Sequence, residues 1–388
     1  MSHARWTRSM AAERLRILMT ADTVGGVWTF AMELCAQLCA RGDRVLLAAT
    51  GREPDAGQRA QAERIDGLRL HARPYKLVWM PEPWRDLRAT GAWLRRLARG
   101  FRPDVVHLND LSQGDAGWEP PVIVSAHSCV CSWWRAVHGE AAPPSWDRYR
   151  QHVGATLRAA DRVVAPTRAM LDALMREHGA LPASEVIHNG RSAAGLVTDK
   201  SPVVFAAGRL WDAAKNLSAL AAIAPDLPWP VCIAGDARHP GEGRTTTFDN
   251  VDLLGPLGSE AVRELMARAA IYALPARYEP FGLSALEAAQ AGCALVLGDV
   301  PSLREVWGDA AMFVPPDDAG ALRDALLRLI TDVAARDALA RAAQRRAARY
   351  TPDAMASRYR DAYFELLDAR RTPSRRADSA SIETGAHA

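Results

Sequence analysis

The sequence lacks the long apolar runs that mark membrane-spanning helices. No stretch approaches the roughly 18 consecutive apolar residues that such a helix needs. The basic N-terminal segment MSHARWTRSMAAERLRILMT also lacks an apolar run of the length found in secretory signals. These absences predict a cytoplasmic protein.

Cysteine is scarce, at six residues in 388, which excludes a disulfide-stapled scaffold. Cys35 and Cys39 stand four apart on a helical pattern, where they would pack as small apolar groups. Cys129 and Cys131 flank a single valine, and no second pair stands at a spacing that would complete a four-ligand site. The sequence therefore predicts no metal site.

Neither basic nor acidic residues are in large excess, because the net charge is only +3. A nucleic-acid-binding protein would concentrate basic residues on one face, so that class of function is not supported. The stretch 95–102 is locally basic. It is interpreted either as a solvated helix face or as a peripheral contact with an anionic membrane surface.

What the chain does contain is a regular alternation of short apolar runs and helical patterns, which predicts an α/β fold with parallel sheets. Strands are predicted at residues 15–19, 45–49, 105–108, 122–125, 163–165, 186–188, 203–207, 231–234, 251–254, 271–274, 294–297 and 312–314. Helices are predicted at residues 27–40, 87–100, 149–160, 168–178, 322–330, 334–349 and 353–367.

The small, polar segment RSAAGLVTDKSP at residues 191–202 predicts a boundary between two such units. We expect one domain at residues 1–195, a second at 196–352, and a separate helix at 353–368. Residues 369–388 are polar and small, so a disordered tail is predicted.

The most informative segment is ARYEPFGLSALEAAQAG, at residues 276–292. A strand ends before it, and a helix is expected to begin near Leu283. Gly282 would allow a close backbone approach, and the free N–H groups of the helix suit a diphosphate. Glu279 in the loop and Glu287 one turn into the helix could accept hydrogen bonds from sugar or ribose hydroxyls. The alternative is two solvated glutamates.

A second cluster follows the strand at 203–207 and contains Gly208, Arg209, Lys215 and Asn216. Arg209 and Lys215 would be fixed cations near the carboxyl end of a strand. There they could neutralise a diphosphate leaving group, a role that is often the largest electrostatic contribution to catalysis. The alternative is a pair of surface cations.

Two further features follow strands of the first half. Gly25 and Gly26 precede the first helix and would admit a substrate close to the backbone, although the full GxGxxG pattern for NAD is missing. His127 directly follows an apolar strand, where it could bond a sugar hydroxyl or serve as a structural histidine. Trp133 and Trp134, predicted to lie in a loop, would either stack on a sugar or pack locally.

Taken together, these motifs resemble those of the retaining GT-B glycosyltransferases of family four. The resemblance extends over nearly all of the chain outside the tail. It is carried by VGGVWTFAMEL, DVVHLND, VSAHS, APTRAM, VIHNG, GRLWDAAKN, EPFGLSALEAAQAG and VPSLREVWGDAAMFVPPDD. The segment EPFGLSALEA is the most specific, because it matches the two-glutamate signature of the family.

The resemblance implies two Rossmann-like, doubly wound domains that face a central cleft, with the last helix crossing back to the first domain. Arg209, Lys215 and the backbone around Phe281–Leu283 would contact the diphosphate of a nucleotide-sugar, and Glu287 its ribose. Glu279 would contact the transferred sugar. His127 and Gly26 would lie across the cleft, near the sugar and the acceptor.

The resemblance further implies metal-independent transfer of a hexose with retention of configuration and no separate cofactor. UDP- and GDP-linked donors are both expected. The acceptor stays open among a glycan, a lipid-linked molecule and a small molecule. Two alternatives are a UDP-sugar epimerase on the same architecture and a non-catalytic protein that binds sugar nucleotides or glycans.

Overall fold

The computed structural model describes residues 13–193, 199–239, 243 and 245–380. Within these residues the chain forms two sheets of parallel strands, which confirms the predicted α/β class and its two doubly wound units. The predicted domain boundary at 195/196 falls among residues outside those described. No helix in the described ranges is both long and apolar enough to cross a lipid bilayer.

The first sheet contains β1 (Arg16–Asp22), β2 (Arg44–Thr50), β3 (Leu68–Ala72), β4 (Val105–Leu108), β5 (Val122–Ser125), β6 (Arg162–Ala165) and β7 (Ser184–Val186). The second contains β8 (Ser201–Ala207), β9 (Val231–Ala234), β10 (Asp252–Gly255), β11 (Ala269–Leu274), β12 (Ala294–Gly298) and β13 (Met312–Val314).

The helices around the first sheet are α1 (Gly26–Ala40), α2 (Ala56–Glu63), α3 (Trp84–Phe101), α4 (Val130–His138), α5 (Asp147–Ala159) and α6 (Arg168–His178). The remaining helices are α7 (Leu217–Ile223), α8 (Ser259–Arg268), α9 (Leu283–Gln290), α10 (Pro301–Trp307), α11 (Ala319–Thr331), α12 (Val333–Ala347) and α13 (Pro352–Ala380).

The strand orders create one switch point in each sheet. The first sheet runs β3-β2-β1-β4-β5-β6-β7, and the second runs β10-β9-β8-β11-β12-β13. The chain therefore reverses its direction of winding between β1 and β4, and again between β8 and β11. Loops that leave two neighbouring strands on opposite faces open a crevice at such a point, where ligands of open α/β sheets bind.

Each sheet is buried on both faces, as a parallel sheet between helices must be. In β1, Ile17 and Met19 enter one hydrophobic cluster, whereas Leu18 enters another on the opposite face. Helix α13 packs against the first sheet, since Tyr359 and Tyr363 belong to the same cluster as Ile17. The Tyr363 hydroxyl lies 2.7 Å from Nδ1 of His107 in β4.

The structure differs from the sequence-based expectations at the weakest patterns. Helix α2 and the half-exposed edge strand β3 were not expected, because their apolar patterns are short. Trp133 and Trp134, predicted in a loop, lie in helix α4. Helix α13 continues to Ala380, beyond its expected end, and 381–388 lie outside the described residues; disorder of the tail stays a prediction. Arg370 forms an ion pair with Asp161 and Arg371 forms one with Glu13, so the start of this extension contacts the first domain.

Candidate active site between the two switch points

The two switch points lie directly opposite each other. A Cβ atom on Gly25, in the loop after β1, would lie 3.0 Å from Nη1 of Arg209, in the loop after β8. A Cβ atom on Gly26 would lie 3.5 Å from Cδ1 of Leu283, the first residue of α9. Because Gly25 and Gly26 have no side chains, the backbone of the first domain comes close to Arg209 and Leu283 of the second domain. A ligand bound between the two domains would lie at this point.

A cavity of about 130 Å³ lies at this junction. Most of the residues singled out from the sequence line it, namely Gly26, His127, Lys215, Glu279, Phe281, Gly282 and Leu283. Gly208 packs behind them, since a Cβ atom there would lie 3.4 Å from Cγ of Lys215. Gly25, Arg209 and Glu287 lie outside the cavity lining, and Arg209 borders the cleft beside Gly25.

The loop that carries Glu279 is fixed by its own backbone. Gly282 has φ +90°, a left-handed backbone conformation that residues with a side chain rarely adopt. It ends the loop at the start of α9. Its N–H donates to Oε1 of Glu279 at 3.1 Å, while Nζ of Lys215 forms an ion pair with Oε2. Both carboxylate oxygens are thus held in place, and Glu279 is only 9% exposed.

The second cation is held in the same way. Arg209 donates to Oδ2 of Asp212, and the indole N–H of Trp133 donates to Oδ1 of the same carboxylate at 3.0 Å. Burial alone would raise the pKa of Asp212, but Arg209 and Lys215 outweigh it and the pKa is lowered. Nε of Arg209 is buried and has no hydrogen-bond partner in the described part of the chain. Such a donor suits an anion.

His127 is neutral and oriented. Its Nε2 lies 2.9 Å from Oδ1 of Asn109, whose own amide nitrogen donates to the carbonyl of Thr20 at 2.8 Å. This network assigns the proton to Nε2 and leaves Nδ1 as an acceptor. Burial lowers the pKa of His127 to about 4.

Sequence reasoning missed several polar groups around the cavity. Asn189 lines it, and its Oδ1 is buried without a partner in the residues described. Asp22 accepts hydrogen bonds from the N–H groups of Val24 and Gly25, which shapes the glycine turn. Asn109 and Asn189 lie in segments that resemble family motifs, yet a single asparagine after a strand gives no signal of its role.

Glu287 is engaged by a buried arginine. Nε of Arg191 donates to Glu287, while Nη1 of the same side chain binds Oε1 of Glu33 on α1 at 2.6 Å. Arg191 is 5% exposed. The predicted contact of Glu287 with a ribose is untested, and the structure adds that this carboxylate bridges the two domains through Arg191.

Comparisons with known proteins identify families and relatives that this chain resembles. Residues 24–193 match the model of Glycosyltransferase Family 4, and residues 201–332 match that of Glycosyl transferases group 1. Glycogen synthase from Mycobacterium tuberculosis is 27% identical over 392 residues, which covers 86% of this chain and 90% of that protein. An exopolysaccharide phosphotransferase from Streptomyces coelicolor is 32% identical over 174 residues, but the match spans only 18% of that longer protein.

A solved structure shows the same fold. The Anabaena protein HepE in complex with UDP-glucose superposes with a TM-score of 0.71 at 18% identity, covering 92% of this chain and 100% of that one. The fold is thus shared over nearly the entire length of both chains.

The buried histidines make stability depend on pH. Burial lowers the pKa of His127 from 6.5 to about 4. Between these two pH values His127 is therefore neutral in the folded protein but protonated in the unfolded chain. The free energy of unfolding should therefore fall as pH drops from about 6.5 toward 4, by on the order of 2 kcal/mol for this histidine at pH 5. Urea unfolding between pH 5 and 7.5 measures it.

His127→Gln should flatten part of this pH dependence, whereas His71→Gln, at an exposed position on β3, should leave it unchanged. An equal slope in wild type and His127→Gln would contradict the assignment of a neutral, buried imidazole.

Proposed function

Because the chain belongs to glycosyltransferase family 4 and is an enzyme that uses a nucleotide-sugar donor, we propose that it transfers a hexose from a UDP- or GDP-linked donor to an anionic acceptor. Transfer proceeds with retention of anomeric configuration and without a catalytic metal ion. The observation that carries the proposal is the meeting of the two switch points, with two fixed cations on one side and a neutral histidine on the other.

The donor diphosphate binds between Arg209, Lys215 and the N-terminus of α9. Free N–H groups at the start of a helix and two cations together favour a doubly charged group. Both cations already have carboxylate partners, so a diphosphate would take over part of their hydrogen bonding. The unpaired Nε of Arg209 is one donor that it would satisfy.

Glu279 binds the transferred hexose rather than attacking it. Its two oxygens accept from Lys215 and from the N–H of Gly282, an arrangement that leaves lone pairs for sugar hydroxyls but lowers its nucleophilicity. In the reaction, the bond between the anomeric carbon and the phosphate oxygen breaks. The acceptor hydroxyl bonds to that carbon on the same face, and its proton passes to the departing phosphate oxygen.

This mechanism predicts an axial product from an axial donor, formed without added metal. With UDP-glucose or GDP-mannose as the donor, NMR of the first-formed product should show the anomeric configuration of the donor. EDTA should leave the rate unchanged, because the side-chain cations neutralise the leaving group. An inverted product, or a rate that EDTA abolishes and magnesium restores, would contradict the proposal.

The cations should account for nucleotide affinity. Arg209→Ala and Lys215→Ala should each weaken UDP or GDP binding by about 1.5–3 kcal/mol, the usual contribution of a charge-assisted hydrogen bond. Isothermal titration calorimetry measures it. Arg323→Ala is the matched control, because that side chain lies on the surface of α11, away from the cleft, and pairs with Asp324. Unchanged affinity in both site variants would show that the diphosphate binds elsewhere.

The acceptor is proposed to be anionic because of a second, larger cavity in the first domain. It has a volume of about 640 Å³ and is bounded by α3, α5 and the loop that leaves β4 at the switch point. Three arginines line it against one aspartate, Asp115. Arg88 and Arg148 form no ion pair within the residues described, and the Arg148 guanidinium lies 3.9 Å from the centre of the Trp84 ring. A cationic, partly aromatic wall suits a phosphorylated or carboxylated sugar.

An anionic acceptor has a measurable signature. With the donor fixed, a hexose 6-phosphate should be a better acceptor than the unphosphorylated hexose. Arg88→Ala or Arg148→Ala should raise the acceptor KM about tenfold or more, as expected from loss of a charge-assisted bond. Arg85→Ala, on the same helix but outside the cavity lining, should leave it unchanged. A preference for neutral acceptors, or an equal effect of Arg85→Ala, would contradict this assignment.

A further inference from the structure

We propose that Cys129, Cys131 and His178 form a binding site for one thiophilic d10 cation, Zn²⁺ or Cu⁺, apart from the substrate cavities. The three ligand atoms come from two helices that the fold packs together, and all lie within 4.8 Å of one another. The proposal is independent of the identity of donor or acceptor.

The spacing of the three atoms fits a coordinated ion. Sγ of Cys129 lies 3.3 Å from Nε2 of His178. For bond lengths of about 2.3 Å to sulfur and about 2.1 Å to nitrogen, tetrahedral geometry requires an S–N separation of about 3.6 Å and an S–S separation of about 3.8 Å. Small side-chain rotations would bring the three atoms to these distances.

The fold supplies the third ligand that the sequence pattern lacks. Cys129 is the N-cap residue of α4 and Cys131 its second residue, so both thiols lie on the first turn. His178 is the last residue of α6, 47 positions beyond Cys131 along the chain but beside it in space. In the described ranges, no other set of three cysteine, histidine or acidic side chains converges in this way.

The chemistry of the group selects the ion. Two thiolates and one imidazole are soft ligands, which favour Cu⁺ and Zn²⁺ over magnesium or calcium. Both cysteines are buried, and Nδ1 of His178 is buried without a hydrogen-bond partner in the part of the chain described. Among the described residues, the His178 ring therefore makes its hydrogen-bonding contact through Nε2, with Sγ of Cys129. Three ligands can satisfy Cu⁺, whereas Zn²⁺ would complete four-coordination with water.

The site lies behind the loop that carries Glu279. The hydroxyl of Tyr278 accepts from the N–H of Cys129 at 3.2 Å and lies 2.9 Å from Oγ of Ser132. An ion on the first turn of α4 would rigidify the surface on which Tyr278 rests. Its role would be structural, since neither substrate cavity is lined by Cys129, Cys131 or His178.

The test uses the full chain, stripped with a chelator under reducing conditions and titrated with Co²⁺ and then Zn²⁺. We expect one Co²⁺ per chain, with the near-ultraviolet thiolate-to-cobalt charge-transfer band, and displacement of the band by Zn²⁺. Cys129→Ser, Cys131→Ser and His178→Gln should each lose or strongly diminish it. Cys232→Ser, a cysteine on β9 away from the cluster, should retain it.

Thermal unfolding provides a second readout that also reports on folding. Zn²⁺ should raise the Tm of the wild type and of Cys232→Ser, and it should not raise the Tm of the three ligand variants, each checked by circular dichroism. The proposal is overturned if the wild type shows neither a charge-transfer band nor a Tm shift, or if the ligand variants respond to the ions as the wild type does.

Discussion

The relative position of the two sheets depends on one buried guanidinium. Arg191 leaves the first domain and binds Glu33 on α1 and Glu287 on α9, so a single side chain joins the helices that follow both switch points. Burial alone would lower its pKa, but the two carboxylates outweigh it and the pKa is raised. Removing Arg191 would leave two largely buried carboxylates without their shared cation, which is far more costly than losing a surface ion pair.

The backbone at Gly190 and Arg191 contacts the segment in which the chain crosses back to the first domain. The N–H of Arg191 donates to the carbonyl of Tyr350 at 3.1 Å, where the chain returns to the first domain. A Cβ atom on Gly190 would lie 2.1 Å from the carbonyl oxygen of Thr351, so only glycine allows the two crossings to touch. Glu305 adds a contact nearby, since its carboxylate accepts from the first N–H groups of α6 at Arg168 and Ala169.

The sequence predicts those features of the fold and the site whose residues lie close together along the chain, but not those whose partners are far apart. The strand ends and the segment from Glu279 to Glu287 were predictable, because glycine, helix start and carboxylates lie within one short stretch. Arg191 and Asn109 act through partners far along the chain, so no local pattern marks them. Helix α4 was missed for a related reason: its two tryptophans obscure a short helix, and some of its contacts, such as that of Trp133 with Asp212, are with the other domain.

The volume of the cavity between the two switch points limits what can bind there. The cavity between the switch points is about 130 Å³, below the roughly 300–1,000 Å³ of pockets that enclose whole small-molecule ligands. This cavity therefore accommodates only part of a nucleotide sugar, and the rest of a bound donor would extend beyond it. Farther out, the two domains also meet where Trp79 stacks on Trp211 with ring centroids 6.3 Å apart, and where Arg52 forms an exposed pair with Asp236. Since exposed pairs contribute at most about 1 kcal/mol, the Arg52–Asp236 pair stabilises the cleft less than the buried contacts of Arg191, which keep the two switch points opposite each other.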